Sequence, residues 1–149
     1  MTTTPLSAPT TTDSTLRAEV EHFYAWQMQL LDSRACEEWA ATFTPDGVFD
    51  ANGLPAPAKG REAITAGARA AGERLTAEGL VHRHWLGMLT VGEQPDRTIR
   101  ARSYALVIET ERDGASRLHR STVCEDVLVR AEDGSLLVSR RKVTRDDIG

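Results

Sequence analysis

The apolar positions of this 149-residue chain follow two different periods, helical in the first half and alternating in the second. Leu16, Val20, Phe23, Gln27 and Leu30 recur at helical spacing, and Asp13, Ser14 or Thr15 can each accept the first free backbone N–H as an N-cap. Tyr24, Leu31 and Asp32 fall at the border of this apolar stripe, so Asp32 is expected where the helix end meets the core. A shorter helix is expected from Arg34 to Thr42, with Cys36, Trp39 and Phe43 at i, i+3 and i+7. The Thr44-Pro45-Asp46-Gly47 run should stop it as a turn. A strand from Val48 to Ala51 and a loop through Leu54, Pro55 and Pro57 lead to a third helix. That helix runs from Arg61 to about Glu78, with Ile64, Ala68, Ala71 and Leu75 inward and Gly79 as C-cap.

From there the alternation predicts strands at Val81–Gly92, Thr98–Arg112, Ser116–Arg130 and Ser135–Arg145. Asp113-Gly114 and Asp133-Gly134 separate the last three, and Asp-Gly suits tight hairpins whose two central residues need positive φ. Three helices followed by a hairpin-linked meander is an α+β order, not the alternation of a parallel sheet. The expected fold is a cone: a curved, mixed or antiparallel sheet wrapped on three N-terminal helices, with a cavity inside. Residues 1–14, rich in Thr and Pro, are expected to form a disordered arm ahead of a single domain over 15–149.

Composition narrows the partners. A net charge of −4 with mixed signs offers no basic field, so neither nucleic acid nor an anionic membrane surface is expected. Two isolated cysteines, Cys36 and Cys124, point to a reduced, cytoplasmic chain. No metal-ligand or phosphate-loop signature is present, and neither a metal nor another cofactor is expected. A hydrophobic small molecule is the expected ligand.

Strand parity sorts the candidate chemistry. If His84 points inward, His82, Leu86 and Met88 share its face, while Arg83, Trp85 and Leu89 take the other. His82 reads either as a residue near the cavity mouth or as an edge residue. Tyr104 falls with Leu106 and Ile108, and its phenol is either a donor to a substrate oxygen or a satisfied core hydroxyl. Thr122, Cys124, Asp126 and Leu128 share a face, so Asp126 is either a second inward acid or the partner of Arg140 or Arg141. The Arg97, Arg100 and Arg102 set and the Arg140-Arg141-Lys142 run read as solvated or subunit-facing surface. Trp26, Trp39, Phe43, Phe49 and Trp85 are available to line a cavity or fill a core. Cys124 has no evident base beside it and reads as a packed wall.

The run LLDSR, the segment EEWAATFTPDGVFD, the KGREAI helix start, RHWLGMLTV, ARSYALVIE and the terminal EDVLVRAEDGSLLVSRRKV together resemble the nuclear-transport-factor-2-like superfamily, and within it the SnoaL-like group. The resemblance covers about residues 20–143. It implies the cone fold and, in the dehydratase-like branch, a catalytic pair made by a helix-end Asp and a sheet His, at positions matching Asp32 and His84. The chain departs from that pattern at Gly87 and Met88, where Asn or Thr-Asn is common, and at Cys124, where an aromatic residue often precedes Asp. The resemblance implies a cofactor-independent polyketide-type cyclase, dehydratase or isomerase of bacterial natural-product biosynthesis, working as a homodimer. Its expected site has Asp32, His84, Tyr104 and Asp126 in catalysis, with Tyr24, Trp39, Phe43, Phe49, Leu86, Met88, Leu106 and Cys124 around the substrate. The superfamily also holds the non-catalytic β subunits of ring-hydroxylating dioxygenases, similar in their LLDSR and SRRKV segments. An assembly subunit and a ligand-binding module are therefore the alternatives.

Overall fold

A computed structural model of the chain describes residues 11–149, so residues 1–10 of the expected arm lie outside it. Helix α1 spans Thr11–Asp32, taking in residues 11–14 that the sequence assigned to the arm. The Asp13 carboxylate lies in its first turn, where it opposes the positive end of the helix dipole. There follow α2 (Cys36–Ala40), β1 (Phe43–Ala51), β2 (Ala58–Lys59), α3 (Arg61–Glu78), β3 (Leu80–Glu93), β4 (Ile99–Glu111), β5 (Ser116–Arg130) and β6 (Leu136–Arg145). The six strands form one sheet in the order β2-β1-β6-β5-β4-β3, antiparallel throughout except for the parallel β1–β6 pair. This is the expected mixed α+β cone, its helices packed on one face of an unclosed sheet.

Helix α3 occupies the span its stripe predicts, and Gly79 caps it at φ 69°, a conformation that glycine takes without steric cost. The second helix is shorter than expected, because Arg34 adopts φ 67° and ends α1 while Phe43 already belongs to β1. Thr44-Pro45-Asp46-Gly47 is not a helix-stopping turn. It is an irregular stretch within β1, where the register with β6 jumps from Phe43↔Val138 to Val48↔Arg140; Pro45 has no N–H to give the ladder. Strand β2 was not legible, being two residues that pair with Val48 and Phe49. Each Asp-Gly hairpin has one residue of positive φ rather than two, Asp113 in the first and Gly134 in the second.

Three bulges decide which side chains face inward. Between Gly87↔Tyr104 and Thr90↔Arg102, β3 carries one extra residue, and Met88 takes φ 53°. The parity inverts there, so Leu89 and Val91 continue the buried face and Met88 is 77% exposed. In β5, His119 is the extra residue between Val107↔Arg120 and Ile108↔Leu118. A third shift lies between Val127 and Leu128, opposite β6.

The apolar core joins Val20 and Tyr24 of α1 to Trp39, Phe43, Leu128 and Val138. Arg141 stands inside it as the partner of Asp126, one of the two readings of that acid, and not in a solvated basic run, whereas its neighbour Arg140 pairs with Asp50 at the surface. The Arg141 guanidinium donates to both Asp126 oxygens at 2.9 and 2.8 Å and to Gln27 Oε1 at 2.7 Å. Gln27 donates onward to Thr42 Oγ1 at 2.7 Å, and the Tyr24 hydroxyl donates to Asp126. The guanidinium also lies over the Tyr24 and Phe43 rings, 5.4 and 5.5 Å from their centroids. Burial opposes its charge, but the Asp126 carboxylate more than offsets this and holds its pKa above the usual value. Removing one partner of such a pair leaves an uncompensated charge in the core. Arg141→Met is therefore expected to cost about 3–5 kcal/mol, read as a lower urea midpoint at unchanged slope; a loss below about 1 kcal/mol would mean that Asp126 finds other donors.

Candidate active site

A cavity of about 720 Å³ lies between α3, the end of α1 and the concave face of the sheet. Its room comes from α3, whose wall is built of Gly67, Ala68, Ala71 and Gly72 beside Ile64 and Leu75. Gly72 lies under a close approach: a Cβ there would come 3.0 Å from Cδ of Arg34, whose side chain would have to shift. Arg34 donates to the Gly72 carbonyl and, at 2.7 Å, to Thr76 Oγ1, so it latches the end of α1 to α3. That latch places Asp32, the last residue of α1, on the cavity wall.

Asp32 meets His84 there through two hydrogen bonds. The Nδ1–H of His84 donates to Oδ1 at 2.6 Å and its backbone N–H to Oδ2 at 3.0 Å. A carboxylate only accepts, so this contact puts the imidazole hydrogen on Nδ1 and leaves the Nε2 lone pair unclaimed. The second bond fixes the carboxylate against the strand carrying the imidazole. Both residues line the cavity, with the Asp32 side chain nearly buried and that of His84 about a quarter exposed. The arrangement can take up a proton and stabilise the resulting imidazolium.

The other expected residues divide. Trp39, Phe49, Leu86 and Cys124 line the cavity as anticipated. Phe43 and Tyr24 lie in the core beneath it. Met88 does not line it, because the β3 bulge turns it to solvent. Tyr104 and Leu106 do not either: on β4 it is Ala105 and Val107 that face the cavity, and Tyr104 lies under Arg102 on the outer face. Trp26 and Trp85 are also exposed. Asp126 faces inward but is not a free acid, since Arg141, Tyr24 and Cys124 occupy it. Burial, and then the Asp126 charge, push the Tyr24 hydroxyl and the Cys124 thiol well above their ordinary pKa values, so both stay protonated. Trp39 is a cavity residue with an unmet need: its buried indole N–H has no partner among the described residues.

A second polar cluster escaped the sequence reasoning. Glu109, on β4, is buried, and its register partner on β3 is His82, whose Nε2 lies 2.7 Å from Oε2. Arg117 donates through Nε and Nη2 to Oε1. The His119 Nδ1 lies 3.4 Å from Oε2. The Arg117 and His82 hydrogen bonds hold the Glu109 carboxyl down at about 2, and burial followed by the Arg120 charge lowers the His119 pKa. The His82–Glu109 pairing follows from the hairpin register; the inward turn of His119 depends on a bulge that has no compositional mark.

A family model described as SnoaL-like domain matches residues 12–142. The chain belongs to the SnoaL-like family. Solved structures similar to this SnoaL-like protein include Aln2 from a Streptomyces species, at 38% identity over 95% of this chain and 96% of that one, TM-score 0.83. ActVI-ORFA from Streptomyces coelicolor is also 38% identical, over 91% of this chain and 98% of that one, TM-score 0.84. A protein from Catenulispora acidiphila in complex with S-DNPA is 41% identical over 90% and 96% of the two chains, TM-score 0.81. A structure described as a dioxygenase β subunit, from Novosphingobium aromaticivorans, is 19% identical over 91% and 92%, with TM-score 0.72, and shares the fold alone. No protein of curated function matches the sequence. No helix among the described residues is long and apolar enough to cross a membrane.

Both thiols of this SnoaL-like chain are free and buried, which yields a direct check. The native protein is expected to leave a disulfide-exchange reagent at neutral pH unconsumed on the timescale in which a small thiol reacts fully, and to titrate both cysteines in denaturant. Rapid native labelling of Cys124 would contradict its placement against Asp126.

Proposed function

We propose that the protein is a cyclase, dehydratase or isomerase of bacterial natural-product metabolism, acting on a hydrophobic carbonyl- or hydroxyl-bearing small molecule by general acid–base catalysis. The observation that carries this reading is the two-point clamp of Asp32 on His84 at the wall of a roomy, mostly apolar cavity. His84 Nε2 removes a proton from a carbon beside a carbonyl or from a nucleophilic hydroxyl, and Asp32 stabilises the imidazolium. The same proton then returns to a departing hydroxyl in a dehydration, or to a second carbon in an isomerisation, so the base is regenerated.

The oxyanion that develops next to the abstracted proton needs a donor, and the sequence offered Tyr104 or Asp126. Tyr104 lies outside the cavity and Asp126 is occupied, so neither is assigned that role. The complex of the Catenulispora relative with S-DNPA supports small-molecule binding by this family. We assign the protein to the cytoplasm, with reduced thiols. The outer sheet face, where Trp85, Met88, Tyr104 and Leu118 are exposed, supports a homodimer that covers it.

With intermediates supplied by the neighbouring biosynthetic genes, His84→Ala and Asp32→Asn are each expected to lower kcat/KM about 10²–10⁴-fold. Folded variants with undiminished turnover would sink the acid–base mechanism, and tight binding without turnover in the native protein would favour a ligand-binding module. Light scattering at micromolar concentration should give the dimer mass, and a monomer would refute the pairing. Co-purification of a larger dioxygenase-type chain would instead favour the assembly-subunit alternative.

A further inference from the structure

We infer that His82, Glu109 and His119 form a binding site for one divalent transition-metal ion. Two imidazole nitrogens, Nε2 of His82 and Nδ1 of His119, converge on a single carboxylate oxygen, Oε2 of Glu109. The three candidate donor atoms lie within 4.8 Å of one another. Metal–ligand bonds of about 2.0–2.2 Å in tetrahedral array set donor atoms about 3.4 Å apart. The His119–Glu109 separation of 3.4 Å already has that value. The His82–Glu109 distance of 2.7 Å needs only a small opening, as a hydrogen bond gives way to two coordinate bonds.

The surroundings fit a metal better than a plain hydrogen-bond network. Arg117 on Oε1 and His82 on Oε2 already serve both carboxylate oxygens, so the His119 Nδ1, 3.4 Å from Oε2, is surplus to the network and can bring its lone pair to an ion. Arg117 takes only Oε1, the oxygen that neither imidazole approaches, and so orients the carboxylate as outer-shell partners of metal ligands do. The Arg117 side chain is largely exposed, so solvent screens its charge from an ion bound at Oε2.

The strands supply the convergence. His82 and Glu109 are direct register partners, and the extra residue in β5 turns His119 to their side of the sheet. Two imidazoles with one carboxylate select borderline ions such as Zn²⁺, Ni²⁺ or Cu²⁺ over Mg²⁺ or Ca²⁺, which require more oxygen donors. Three protein ligands leave a coordination position open, and one of them, His82, lines the chamber that His84 also lines. The inference is independent of the proposed acid–base chemistry, because neither Asp32 nor His84 is a ligand.

The test uses the tag-free full chain, stripped with chelator and titrated with Co²⁺ as a spectroscopic probe. The expected result is saturable binding of one ion per chain with visible d–d absorption, displaced by Zn²⁺ and not by excess Mg²⁺. His119→Ala, at a bulge where the side chain is about a quarter exposed, should weaken binding at least about tenfold with an unchanged melting temperature, and Glu109→Gln should weaken it likewise. Three outcomes would overturn the site: no saturable signal, Co²⁺ affinity unchanged in folded His119→Ala, or binding abolished by His84→Ala but retained in His119→Ala.

Discussion

A guanidinium removed from water must be paired, and the pairing of Arg141 governs how the helical layer lies on the sheet. It comes from β6, its carboxylate from β5, and its amide and phenol neighbours from α1, so one charge fixes three elements in register. An apolar residue at that position would leave Asp126 with a charge and no counterpart. With α1 held in this way along its middle, its last turn comes to rest against β3, and Arg34 secures that turn to α3. The contact between Asp32 and His84 is thus prepared by interactions that take no part in it.

Two inward acids consequently have opposite fates. Asp126 is saturated by a cation, a phenol and a thiol, and its task is to hold the fold together. Asp32 meets a single residue, through one side-chain and one backbone donor, and its imidazole retains a free lone pair toward the cavity. What separates the saturated carboxylate from the one proposed for catalysis is the number of donors around it, not depth alone.

Much of this was legible in the sequence where a period or a turn residue carried the signal. The stripe Ile64, Ala68, Ala71, Leu75 with Gly79 gave α3 its full span, and the alternation gave the four long strands to within a residue or so. The pairing of Asp32 with His84 came from the family resemblance, and the helix-end position of the one and the parity of the other made the contact feasible. The failures share a cause. A bulge inserts one residue without altering composition, which is why Met88 reads as inward and His119 carries no signal. On β4 the size of Tyr104 and Leu106 argues for an inward place, but a hollow needs small walls, and Ala105 faces it while the bulky side chains point outward.

The bare inner side of α3 has a consequence for how such a protein diversifies. At Gly67 an added methyl would meet nothing within 4 Å, and the neighbouring alanines present only a methyl each. A side chain can therefore be enlarged at Gly67, though not at Gly72 beneath Arg34, without touching the buried cation, and each such change gives the chamber a new outline. The chamber's outline at this one point of α3 can thus change while the helix keeps its place on the sheet.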